Sequence, residues 1–179
     1  MRYIFILLVF LSLPLQAHVL VGKKQAYLQK TNGELIQFAD VLFKQTKAGL
    51  DYQVTIIDKP FDNQFLSMRP FQCIMGNAQV MCHLPYPYAK KSLVLDNDLS
   101  SLSLDLLFLH KSSSEYGINL WNGIYYKLEL IDNVIVGTAF EVDMNLIASP
   151  PDNANTPFSD DEIFKADLSN YVYPKIIIK

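Results

Sequence analysis

Few side chains in this sequence are equipped for catalysis, and their spacing matches none of the compact motifs. Histidine, the usual general base near neutral pH, occurs three times, as His18, His83 and His110. Cysteine occurs twice, as Cys73 and Cys82. There is no GxSxG elbow, no HExxH helix, no glycine-rich phosphate loop and no zinc-type cysteine set. An enzyme built on this chain would be a hydrolase with a dispersed site, because triads are defined by geometry and not by sequence order. His83, Glu141 and Asp143 are its candidate members. The inventory favours a non-enzymatic binding or structural protein.

The two cysteines bracket IMGNAQVM. A hairpin turning at Asn77-Ala78 sets Cys73 opposite Cys82 in a non-hydrogen-bonded pair. Cα atoms of such pairs lie about 4.5 Å apart, within disulfide range. A turn at Gly76-Asn77 would instead offset the cysteines by two residues. The spacing suits neither a redox CxxC nor zinc, so one structural disulfide is expected, contributing about 2.5–3 kcal/mol through loop-closure entropy.

A disulfide also fits the compartment that the first seventeen residues imply. Arg2 supplies a positive end, Ile4–Leu13 an apolar stretch and Leu15-Gln16-Ala17 a small-residue cleavage site, the three parts of an export signal. The apolar stretch is short for a membrane span, and no later one is long enough. Residues 18–179 are thus expected as a single periplasmic or secreted domain without a transmembrane anchor. Cleavage after Ala17 makes His18 the new N-terminus, where its amine and ring could chelate one metal, and Cu(II) favours such nitrogen ligands. In that respect the chain resembles exported copper-binding β-sandwich families, among them copper-dependent polysaccharide monooxygenases and periplasmic copper carriers. The resemblance implies copper held by His18 and a second imidazole. His83 is the better placed one, because it follows the disulfide and metal ligands need fixed supports.

Charge excludes one large class of partner. The chain has 15 basic and 18 acidic residues, and loss of Arg2 makes its net charge of −3 one unit more negative. No basic patch is available to neutralise phosphates, so nucleic acid is not a partner. Recognition of a peptide, a carbohydrate or another envelope protein fits better. Alternation puts Tyr125 with Lys127 and Glu129 on one half-polar aromatic strand face, and Glu141, Asp143 and Asn145 on another. Neighbours in the second row are about 7 Å apart, and the row alone cannot supply the six to eight oxygens of a calcium site. Tyr125, Lys127, Glu141 and Asp143 are the candidate ligand-binding residues.

The elements that must carry these residues read as antiparallel strands. Ser103–His110 is apolar on both faces, as in a central strand, and Tyr116–Trp121 with Asn122-Gly123 reads as the start of a hairpin. Strands Ile124–Leu130 and Val134–Leu146 follow. A two-residue Asp132-Asn133 loop would pair Leu130 with Ile135. A three-residue loop would pair Leu130 with Val134 and Ile124 with Phe140, gathering the large apolar residues on one face, and is preferred. Earlier, Asn32-Gly33 turns a hairpin pairing Tyr27 with Phe38; Thr31–Glu34 also fits a helix cap, and strands are preferred. Asp51–Ile57, the disulfide hairpin, Ser92–Leu95 and the β-branched C-terminus add further strands. Ser159 and Glu162 form a capping box for a helix over Asp160–Leu168. The expected fold is mainly β: an antiparallel β-sandwich, immunoglobulin-like in general form, with one or two short helices, or else a small closed β-barrel.

Overall fold

The computed structural model describes residues 20–67 and 70–179. Twelve strands and one short α-helix follow in the order β1 (Gly22–Gln29), β2 (Leu35–Gln45), β3 (Leu50–Ile56), β4 (Asp62–Phe65), β5 (Pro70–Met75), β6 (Gln79–His83), β7 (Leu93–Val94), α1 (Ser100–Asp105), β8 (Phe108–Ser112), β9 (Gly123–Ile131), β10 (Val134–Val142), β11 (Ile163–Lys165) and β12 (Lys175–Ile178). All pairings are antiparallel, in one sheet of order β4-β5-β6-β8-β9-β10-β12-β1-β2-β3-β7, with β11 on β10. The expected pair of separate sheets is not what this pairing gives. The sheet does not close into a barrel either, since β4 and β7 remain its two edges.

The sheet nevertheless curls on itself. Phe38 of β2 and Phe108 of β8 are five strand spacings apart, roughly 24 Å along a flat sheet. Their rings meet at 5.6 Å. The concave face therefore encloses one core, including Leu28, Phe38, Phe43, Phe108, Ile124, Tyr126 and Ile176. A second core lies on the convex side of β5, β6, β8, β9 and β10, with Cys73, Val80, Cys82, Leu109, Tyr125 and Val142, under Tyr86, Tyr88 and Phe158 from the loops. Helix α1 belongs to both, with Leu102 and the C-cap residue Leu106 in the first core and Leu104 in the second.

Several expected elements are corrected by this arrangement. Ser103–His110 is not one strand: residues 103–105 are the end of α1, and the strand starts only at Phe108. Apolarity on both sides is what a helix between two cores needs, so the pattern was ambiguous between the two. Residues 116–121 form no strand, and Asn122-Gly123 is not a hairpin turn. Gly123 instead opens β9, where a Cβ would lie 2.3 Å from the Val142 carbonyl oxygen. The Asn32-Gly33 hairpin forms, but Tyr27 pairs with Gln37, followed by a bulge before Ala26 meets Ala39. The capping box at Ser159 is present, with Glu162 accepting from the Ser159 N–H at 2.8 Å and hydroxyl at 2.6 Å. It starts only a 3-10 turn, Asp160–Glu162, because Ile163–Lys165 leaves to pair with β10 as β11.

The β9–β10 register is the rejected alternative. Leu130 pairs with Ile135, Leu128 with Gly137, Tyr126 with Ala139 and Ile124 with Glu141. Asp132 (φ 47°) and Asn133 (φ 68°) form a two-residue turn, as the twist of a tight hairpin prefers. The inner face combines large side chains on β9 with small ones on β10. A Cβ on Gly137 would lie 2.6 Å from Leu128 Cδ2. Gathering all large apolar residues on one face overfills the inside of a curled sheet. Strand β10 also ends at Val142, and Met144–Ile147 is a 3-10 turn.

The disulfide hairpin is as expected. Cys73 pairs with Cys82, Ile74 with Met81 and Met75 with Val80, the Gly76 N–H bonds the Gln79 carbonyl at 3.0 Å, and the Cys73–Cys82 bond is formed.

Candidate functional site

A pocket of about 470 Å³ opens on the convex side of the sheet. Its floor comes from three adjacent strands. Tyr125 on β9 faces Phe140 on β10, and Phe140 faces Lys165 on β11. Lys127 stands two residues along β9 on the same face, opposite Thr138. The facing wall is the turn before α1, with Asn97 and Asp98, together with Ser100 at the start of the helix, and Asp160 closes one side. The observed register is what brings Phe140 onto the face of Tyr125.

The charges around this pocket are uncommitted. Ion pairs among the described residues are Lys23–Asp40, Lys30–Glu34 and Lys90–Asp105. Lys127, Lys165 and Asp160 are in none of them. Asp98 keeps one oxygen for the Ser100 N–H at 2.9 Å. Tyr125 is buried, its ring edge-on to Phe158 at 6.1 Å. Burial raises its pKa, Ser103 partly offsets that by hydrogen bonding, and the Asp98 and Asp160 charges raise it further. The phenol is thus a neutral hydrogen-bonding group. Two cations, two acids and an aromatic platform can hold a polar ligand that has one apolar face.

Of the four candidate ligand residues, Tyr125 and Lys127 meet here and the two acids do not. Glu141 is exposed and accepts the Tyr171 hydroxyl at 3.0 Å. Asp143 caps the 3-10 turn Met144–Ile147, accepting from the Asn145 N–H at 2.8 Å. No hydrogen bond among the described residues joins His83, Glu141 and Asp143 to one another.

His83 sits elsewhere, at the seam where the sheet stays open. It is buried, edge-on to Phe108 at 5.5 Å, and its Nε2 bonds the Asp105 carbonyl oxygen at 3.1 Å. Burial lowers its pKa, against smaller opposing effects of the Asp105 carbonyl and carboxylate. Beside it lies a cluster with no motif in the sequence. Lys90 Nζ contacts Asp105 Oδ2 at 2.6 Å and the Tyr52 hydroxyl oxygen at 2.7 Å. Tyr52 donates to the same Asp105 oxygen at 2.8 Å and lies 2.9 Å from Ser101 Oγ. Burial, then the Asp105 charge, pushes the Tyr52 pKa far up. Every member is satisfied, so the cluster reads as a staple between α1, β3 and the 84–92 loop. His18 lies outside the described residues, and among them no group of three or more His, Cys, Asp or Glu side chains could hold a metal.

His110 belongs to a third polar group. Gln79 accepts the Val172 N–H at 3.1 Å through Oε1, so its amide Nε2, 3.3 Å from His110 Nδ1, is the donor of that pair. Tyr171 is edge-on to the imidazole at 5.1 Å. Sequence reasoning missed Phe140, Lys165, Asp98 and Asp160 as pocket residues. They come from four segments, and only the true register and β11 bring them together. No family model, curated protein or solved structure matches this chain.

Proposed function

We propose that this chain is an exported, non-enzymatic binding protein of the cell envelope, and that its ligand sits in the pocket between β9, β10, β11 and the turn before α1. The ligand chemistry this pocket supports best is an acidic carbohydrate. Phe140 offers an aromatic face for the apolar side of a sugar ring, Asn97, Asp98 and Ser100 offer hydroxyl partners, and Lys127 and Lys165 receive the carboxylate. The observation that carries the reading is the pair of uncommitted ammonium groups flanking an aromatic floor. Export is supported by the leader-like first seventeen residues and by the disulfide.

Calorimetric titration with uronate-containing oligosaccharides, against their neutral counterparts, tests this. Uronates should bind, neutral sugars less well, and Phe140→Ala and Lys127→Glu should each weaken binding about ten-fold or more. Equal affinity for charged and neutral sugars, or none for either, would overturn the reading.

A further inference from the structure

The seam between β3 and the 83–86 segment has an unused feature: a strand edge with no neighbour. Tyr52 donates its N–H to Ser92, at 3.1 Å, and so away from β2. Ile57 donates its own to Phe38, at 3.0 Å, toward β2. Orientation alternates along an antiparallel strand, so the N–H and C=O groups of Val54 and Ile56 point away from β2, as those of Tyr52 do. Strand β7 covers that edge at Leu50 and Asp51, and the Ser92 carbonyl extends the cover to Tyr52, so the uncovered groups are those of Val54 and Ile56.

Open space lies in front of this edge. A pocket of about 300 Å³ is lined by Tyr52, Gln53, Val54 and Ile56 on one side and by His83 and Tyr86 on the other. Consecutive residues such as Gln53 and Val54 face opposite sides of a sheet. Both lining one space means the space meets the strand edge-on.

We infer that the β3 edge at Val54–Ile56 is a strand-addition site for an extended peptide segment of a partner protein, which would continue the line that β7 begins. Three observations favour that occupant. The edge already accepts one antiparallel strand, β7, so added backbone finds donors and acceptors in register. The stretch from Tyr52 to Ile57, YQVTII, is uncharged and rich in β-branched residues, whereas solvent-facing edges are commonly blunted by lysine or proline. The space between this edge and the wall of His83 and Tyr86 is about 300 Å³, which suits a short extended segment better than a folded partner. With Lys90 and Asp105 neutralising each other beside the slot, the segment that fits is uncharged, with an apolar side chain turned inward. This site is independent of the carbohydrate pocket.

Hydrogen exchange on the free protein gives the first test. Val54 and Ile56 amides should exchange fast while Thr55, bonded toward β2, is protected; protection of Val54 and Ile56 in the monomer would overturn the proposal. Next, a phage-displayed heptapeptide library is panned on the full chain and a selected peptide is titrated. The selected sequences should be uncharged and β-branched, and the bound peptide should protect Val54 and Ile56. Val54→Pro, which removes an edge N–H without touching the β2 ladder, should weaken binding about ten-fold or more. Failure to enrich any peptide, unchanged affinity in Val54→Pro, or protection that appears only with protein concentration, as in self-pairing, would each refute it.

Discussion

At Asp105 one carboxylate oxygen joins three parts of the chain. It accepts from Lys90 of the 84–92 loop and from Tyr52 of β3, while the residue itself ends α1. The Lys90 side chain is only 4% exposed and that of Asp105 29%, so the ammonium depends on this partner more than the acid does. Asp105→Ala should therefore cost about 3–5 kcal/mol in urea denaturation by leaving a buried cation unpaired. Lys90→Met removes that cation and should cost less than half as much; equal losses would contradict this asymmetry. The histidines give a second prediction at this scale. His83 and His110 both have folded pKa values lowered from 6.5, mainly by burial, and for His110 the charges of Glu141 and Glu115 oppose part of that shift. A lowered folded pKa means that the unfolded chain takes up the proton first. The stability they contribute is complete above about pH 6.5 and is lost as pH falls toward their folded values. For His110, protonation would also turn Nδ1 into a donor facing the Gln79 amide. Stability measured from pH 8 to 5 should be flat and then decline, less steeply in His83→Gln. A curve that rises on acidification would contradict it.

At the scale of elements, packing inside the curl decides between readings that the residue pattern leaves open. Gly137 is the clearest case, since its missing side chain makes room for Leu128, Tyr126 and Ile176. Gly137→Ala should destabilise by about 1–3 kcal/mol through overpacking, and by less than half of that in a Leu128→Ala background. An equal cost in both backgrounds would show that the contact is not limiting. The same contact explains what could be read in advance. The disulfide pairing was legible because turn position alone fixes Cys73 against Cys82. The β9 and β10 strands were legible from alternation, but their register was not: apolarity favoured Phe140 inside, while the curvature that demands Gly137 and Ala139 there arises from strands far away in sequence. Helix α1 was hidden for a related reason. A helix wedged between two cores is apolar on both sides, as a buried strand is. Tyr125 and Lys127 were legible as one face, but Lys165 reaches them only because β11 takes the place next to β10 that a helix was expected to leave empty.

Over the whole molecule, a curled sheet with an open seam leaves two kinds of surface for the recognition proposed above. The convex side carries the pocket with its uncommitted charges, and the seam carries an unpaired strand edge. The covalent bond between Cys73 and Cys82 and the staple at Asp105 hold the flanks of the seam, so the strand edge there rests on fixed supports. The binding account depends most on the convex pocket, and residue-resolved NMR during titration with a uronate-containing oligosaccharide addresses it directly. The account predicts saturable shifts centred on Tyr125, Lys127, Phe140 and Lys165, with Glu141 and Asp143 unaffected. Shifts centred on any other surface, or no saturable shifts at all, would contradict it.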